Sequence, residues 1–199
     1  MFLEAVGINP VVVHGGGKAI TKALAESGVE TRFEHGYRVT TPESVKVVEQ
    51  VLSHEVNTGI VRMINELGGK ACGFSGKDIF RCVPFRPLGQ AGEPIDIGLV
   101  GEVTEVNTAP LLECIEQDIT PVISPTATGE DDQIYNCNAD VAAGQAAVAL
   151  RPKRLVYMSD VPGLLQNPED PTSVISHLPV AEVEAVSYTH LRAHETSLH

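Results

Sequence analysis

The chain has 199 residues, 43% hydrophobic and 20% charged, which is enough for one domain with a core and too apolar for a disordered chain. Its formal net charge of −12 excludes a general nucleic-acid binder and requires any anionic ligand to be held by local positive potential. No run of about 18 apolar residues is present and MFLEAVGINP carries no signal-peptide pattern, so no membrane span and a cytoplasmic location are expected.

In chain order, Pro10–Val13 is an apolar run typical of a strand buried on both faces. Gly15, Gly16 and Gly17 follow, then a helix from about Lys18 to Ser27 with Gly28 as its stop. HGYRVT (35–40) sets Arg38 among turn and strand residues, either as a bidentate carboxylate binder or as a surface arginine. Thr41 is an N-cap and Pro42 suits a first turn. They open one long helical region or two helices, in which Val45, Val48, Val51, Leu52, Ile60, Ile64 and Leu67 recur at helical spacing before Gly68 and Gly69.

KACGFSG reads as a strand, and IFRCVPF and LVGEVTEVN alternate as a half-exposed antiparallel hairpin. TAPLLECIEQD is a helix, ITPVISPTA a buried strand, NADVAAGQAAVAL an Ala-rich helix, and RLVYMSD a strand ending in the turn DVPG. This alternation predicts an α/β fold with a mainly parallel sheet.

The glycine run carries the strongest chemical signal. Glycine permits positive φ and close approach of a ligand, and the free N–H groups at a helix start favour an anion. A plain strand–helix turn is the alternative, but three adjacent glycines cost backbone entropy that such a turn does not require. A G-x-x-x-x-G-K-[ST] loop is excluded because Ala19 follows Lys18, and a G-x-G-x-x-G fingerprint because position 20 is Ile.

IYNCNAD (134–140) gathers Asn136, Asn138 and Asp140 at the start of the Ala-rich helix. One cap residue would suffice there, so three polar groups suggest a second task. MSDVPGLL (158–165) ends a predicted strand in an Asp turn. Ligands of open α/β sheets bind at the carboxyl ends of strands, so the Gly loop, the Asn–Asp cluster and this turn are expected on one edge of the sheet.

Cys72, Cys82, Cys114 and Cys137 have no C-x-x-C spacing and read as reduced thiols. In the tail, Val186–His199, His190 and His194 are four apart, but no third ligand is set nearby, so no metal site is assigned. The tail has no apolar periodicity and resembles translated adapter sequence; a foreign or disordered segment is expected.

Together, GINPVVVHGGG, GYRVT, GFSGKD, LVGEV, PVISP, YNCNAD and SDVPGLL resemble, in order and spacing, the N-acetylglutamate kinase branch of the amino-acid kinase family, from about Gly7 to Ala185. The resemblance implies an incomplete three-layer α/β sandwich with a mainly parallel central sheet and an antiparallel hairpin. Residues 1–185 would be a partial kinase domain and 186–199 a non-matching tail. The implied reaction moves the γ-phosphoryl of ATP, as its Mg2+ complex, to the side-chain carboxylate of N-acetyl-L-glutamate, the second step of arginine biosynthesis. By motif, Gly16 and Gly17 would contact the acceptor and the moving phosphoryl. Arg38 would clamp the α-carboxylate, Asn136 would hold the amino-acid end, and Asp140 would be the catalytic aspartate. Asp160, Val161, Pro162, Gly163, Leu164 and Leu165 would belong to the nucleotide site.

An acceptor carboxylate with a pKa of about 4.3 is already ionised at pH 7, so no general base is needed and Asp140 reads better as an organiser of cationic groups. The family's K-x-G-G and G-G-M-x-x-K lysine motifs do not occur in this sequence. Truncation at both ends, an unprotected sheet edge and little or no activity of this chain are therefore expected. The alternatives are an amino-acid kinase acting on carbamate, glutamate, aspartate or UMP, and a non-catalytic acceptor-binding protein. By resemblance, intact members are homo-oligomers, with Pro42–Leu67 in the dimer-forming part.

Overall fold

The computed structural model describes residues 7–34, 37–89, 92–158, 163–167, 169–179 and 181. The chain divides into two compact units, Met1–Arg32 with Arg38–Leu155, and Phe33–Tyr37 with Val156–His199.

In the first unit, β1 (Val12–Val13), β7 (Thr120–Ile123) and β4 (Ala71–Phe74) form a parallel sheet in the order β1-β7-β4. The triglycine turn leads from β1 into α1 (Gly17–Glu26), and the chain leaves α1 through Gly28 at φ +69°, the left-handed stop expected of it. A helical run of three parts follows: α2 (Pro42–Glu49), a π-helical segment (Gln50–Val56) and α3 (Asn57–Glu66). Thr41 caps α2 as expected, in a reciprocal pair: Ser44 N–H donates to Thr41 Oγ1 at 3.1 Å and Thr41 N–H to Ser44 Oγ at 2.7 Å. Ile20 and Leu24 of α1 pack on Val48, Val51 and Leu52, which explains the helical spacing of those residues.

The predicted hairpin is β5 (Phe80–Pro84) against β6 (Val100–Val106), antiparallel, with a bulge at Arg81/Cys82. It does not stand alone. β8 (Thr126–Gly129) runs parallel to β5, β9 (Ile134–Cys137) parallel to β6, and β8 antiparallel to β9, so the four strands close into a small barrel. Its core joins Phe80, Cys82, Val103, Ala127, Tyr135 and Cys137 to Leu111 of α5 (Ala109–Glu116) and to Ala142 and Ala146 of α6 (Ala139–Leu150). α4 (Gly76–Ile79) links β4 to β5.

Three expectations change. ITPVISPTA is two strands, because Ser124 and Pro125 break the run between β7 and β8 and proline offers no N–H to a ladder. Asn136 lies on strand β9 rather than on the helix start; only Asn138 caps α6. RLVYMSD forms no strand over its described part: Val156 and Met158 are 72% and 95% exposed, and no described strand offers them a hydrogen-bonding neighbour.

The second unit contains the β2 (Phe33–Glu34) and β3 (Tyr37–Arg38) ribbon, apart from Arg38, which belongs to the first unit. It also holds a turn closed by the Leu165–Val174 bridge and by Ile175 N–H donating to Leu164 O at 2.7 Å. His190, His194 and the rest of the tail lie outside the described residues.

Candidate active site

The HGGG segment leaves the carboxyl end of β1 beside β7, where His14 N–H donates to Ile123 O at 3.2 Å. Gly16 caps α1, so the free N–H groups of the first turn open at this sheet edge. None of Gly15, Gly16 and Gly17 takes positive φ, so the conformational freedom expected of them is unused. Their smallness has other causes. A Cβ on Gly16 would sit 2.6 Å from Leu52 Cδ2 of the π segment, inside a packed core. A Cβ on Gly17 would meet nothing within 4 Å, so no internal contact demands glycine there and the space over its backbone is open.

Three other parts of the chain converge on this turn. Arg38 reaches across to α1: its Nη2 donates to Thr21 Oγ1 at 2.7 Å and to Gly17 O at 3.4 Å. Burial lowers its pKa, but a guanidinium stays charged at neutral pH. Two residues on, Thr40 is fully buried, held between Thr40 N–H to Ile97 O and Leu99 N–H to Thr40 O. Gly98, at φ +74°, is required there because a Cβ would run into Thr40 O. The Thr40 hydroxyl donates to Arg38 O at 3.2 Å and accepts from Asn136 Nδ2 at 3.4 Å, tying the arginine segment to β9. Asn138 then caps α6, accepting from Asp140 N–H at 2.9 Å and Val141 N–H at 3.1 Å. Ala139 Cβ lies 3.9 Å from the Cβ position of Gly15, so the start of α6, with exposed Asp140 in its first turn, abuts the Gly loop.

Arg38 thus reaches Gly17, Thr40 links the Arg38 segment to Asn136, and the first turn of α6, which carries Asp140, lies beside Gly15. Two helix N-termini and a guanidinium supply positive potential to an anion in a chain of net charge −12. Lys18, second in α1, is exposed. Of the nucleotide-site residues expected from sequence, Asp160, Val161 and Pro162 lie outside the described residues, and Gly163, Leu164 and Leu165 belong to the second unit. Among the described residues no three His, Cys, Asp or Glu side chains gather as a metal site.

Sequence reasoning missed the polar floor under the loop. Ser53 and Asn57, four apart on the π segment and at the start of α3, are buried and face the strand ends. Ser53 Oγ bonds Ser75 Oγ at 3.0 Å and Ser124 Oγ at 2.8 Å, joining the ends of β4 and β7. Glu49, whose side chain is mostly buried, accepts from Lys77 Nζ at 2.9 Å beside Ser75. The available signal was two small polar residues continuing an apolar helix face at i, i+4 spacing.

The chain belongs to the amino acid kinase family, whose profile matches residues 2–197. It is 47% identical over 176 residues to the acetylglutamate kinase of Akkermansia muciniphila, covering 88% of this chain and 59% of that protein. It is 45% identical over 184 residues to the acetylglutamate kinase of Petrotoga mobilis, covering 92% of this chain and 60% of that one. The chain therefore spans about three-fifths of the length of these relatives. Among solved structures, smu.665 from Streptococcus mutans matches with a TM-score of 0.79 at 26% identity, covering 94% of this chain and 73% of that one. The N-acetylglutamate synthase of Neisseria gonorrhoeae shares the fold at a TM-score of 0.71 and 20% identity, with 98% of this chain and 44% of that one covered.

Proposed function

We propose that this chain carries the acceptor side of an enzyme that transfers the γ-phosphoryl of ATP to the side-chain carboxylate of N-acetyl-L-glutamate, in arginine biosynthesis. What supports the reading is Arg38 on the Gly15–Gly17 turn, Asn136 tied through Thr40 to the Arg38 segment and the start of α6 beside Gly15, in a chain whose relatives are named acetylglutamate kinases. In this reading Arg38 pairs with the α-carboxylate as a fork, and Asn136, held by Thr40, bonds the amino-acid end. The N–H groups of Gly16 and Gly17 face the reacting carboxylate, whose approach to an anionic phosphoryl is the main barrier. Asp140 orders cationic groups around the transfer. ATP supplies the phosphoryl, and Mg2+ arrives with its phosphates. Asp160 to Leu165 are the nucleotide-side residues of this proposal. An apolar face at the end of α3, with Met63 and the capping Leu67 61% and 62% exposed, is the surface a second copy would cover.

Calorimetry on the 199-residue chain tests the acceptor. N-acetyl-L-glutamate should bind at millimolar concentration, carbamate, glutamate, aspartate and UMP more weakly, and Arg38→Ala should cost at least tenfold. No heat, or equal heat for the other acceptors, would overturn the reading. In a hydroxamate assay the same chain should turn over far more slowly than the longer relatives, because neither lysine motif occurs in its sequence.

A further inference from the structure

Beneath the Gly loop lies a buried pair that the proposed reaction does not use. His14 is 7% exposed and Asn57 3%. Asn57 Nδ2 donates to Val122 O at 2.9 Å. A main-chain carbonyl only accepts, so the atom facing it is the amide nitrogen. The same Nδ2 lies 3.2 Å from His14 Nε2. That nitrogen has only hydrogens to offer, so His14 Nε2 must accept. A neutral imidazole then carries its proton on Nδ1, which lies 2.9 Å from Gly15 O and donates to it. Burial favours the neutral ring. Gly73 of β4 completes the device, since a Cβ there would collide with Asn57 Oδ1 and expel the amide.

We infer that His14 is a positioning residue: Asn57 fixes it as the Nδ1–H tautomer, and it tethers the Gly15 carbonyl so that the next N–H groups, those of Gly16 and Gly17, point to the acceptor. The relay runs Val122 O, Asn57, His14, Gly15, from the middle strand of the sheet to the anion-facing turn. The tether acts on the loop itself; its effect on binding rests on the acceptor reading above.

Long-range proton–nitrogen spectra of histidine-labelled full chain test it. His14 should show one neutral Nδ1–H form, and Asn57→Asp, which replaces the donor by an acceptor, should move the proton to Nε2 and shift the Gly15–Gly17 amide resonances. An Nε2–H tautomer in the unsubstituted chain, or an unchanged tautomer in Asn57→Asp, would overturn the inference. For binding, His14→Asn keeps a donor near the Nδ1 position and should bind N-acetyl-L-glutamate within about threefold of the parent, whereas His14→Leu should lose at least tenfold. A folded His14→Leu that binds like the parent would also overturn it. If the leucine variant does not fold, the tautomer of the unsubstituted chain still decides. If the parent chain binds no N-acetyl-L-glutamate, the acceptor reading falls while the spectra still decide the tether.

Discussion

At the scale of the residue, three consecutive glycines have three different surroundings. Gly16 lies against Leu52, Gly17 under open space, and Gly15 near Ala139. Gly16→Ala should therefore cost about 1–3 kcal/mol through overpacking. Gly17→Ala should change stability by less than about 1 kcal/mol, because alanine suits a first helical position, yet should weaken acceptor binding by covering the N–H groups. Urea denaturation and calorimetry separate the two; equal stability losses would contradict this reading. His14 gives a pH signature. Its folded pKa lies below the ordinary 6.5 because burial disfavours the charged ring. The unfolded chain thus takes up a proton first as pH falls, so the contribution is complete above 6.5 and is lost as pH drops from there to the folded pKa. The urea midpoint should fall across that interval, and His14→Gln should flatten the slope.

At the scale of the element, the π segment Gln50–Val56 has the most consequence. Its wider turn sits between two α-helices and brings Ser53 and Asn57 to the ends of β7 and β4, consistent with the tendency of such insertions to occur at functional sites. Ser53→Ala would leave the fully buried Ser124 hydroxyl with one partner fewer and should cost about 1–3 kcal/mol. Exposed Glu55→Ala on the same segment should stay within about 0.5 kcal/mol. Similar midpoints for the two would remove Ser53 from the support of the site. The helix α6 was legible from its alanines and its Asn–Asp start, since small residues and a cap act locally. The RLVYMSD strand was not, over its described residues 154–158, because an apolar run becomes a strand only when a strand pairs with its backbone.

For the whole molecule, the four cysteines illustrate what folding adds. They are free, as expected, but the structure sorts them into two pairs. Cys82 of β5 and Cys137 of β9 are both buried in the barrel core, and the neighbouring Cys82 followed by burial pushes the Cys137 thiol far up. Cys72 of β4 and Cys114 of α5 are partly exposed, and burial followed by the charge of Cys72 raises Cys114. A mass-resolved alkylation of the native chain should modify Cys72 and Cys114, faster as pH rises, and reach Cys82 and Cys137 only after denaturation. Four thiols reacting at one rate in the native chain would show that the barrel is not closed in solution.

The sequence by itself determined the family, the strand–Gly loop–helix unit, the Thr41 cap and the β5–β6 hairpin. Each of these is written in short-range periodicity, turn chemistry or motif order. Only the tertiary structure decided that β8 and β9 close the hairpin into a barrel, that Arg38 bonds Thr21 and Gly17, and that Thr40 joins Arg38 to Asn136. It alone put Asn57 on His14, 43 residues apart in the chain. These are partnerships between distant segments. A buried polar group must find a partner, but which one it finds is fixed by the packing of the whole chain.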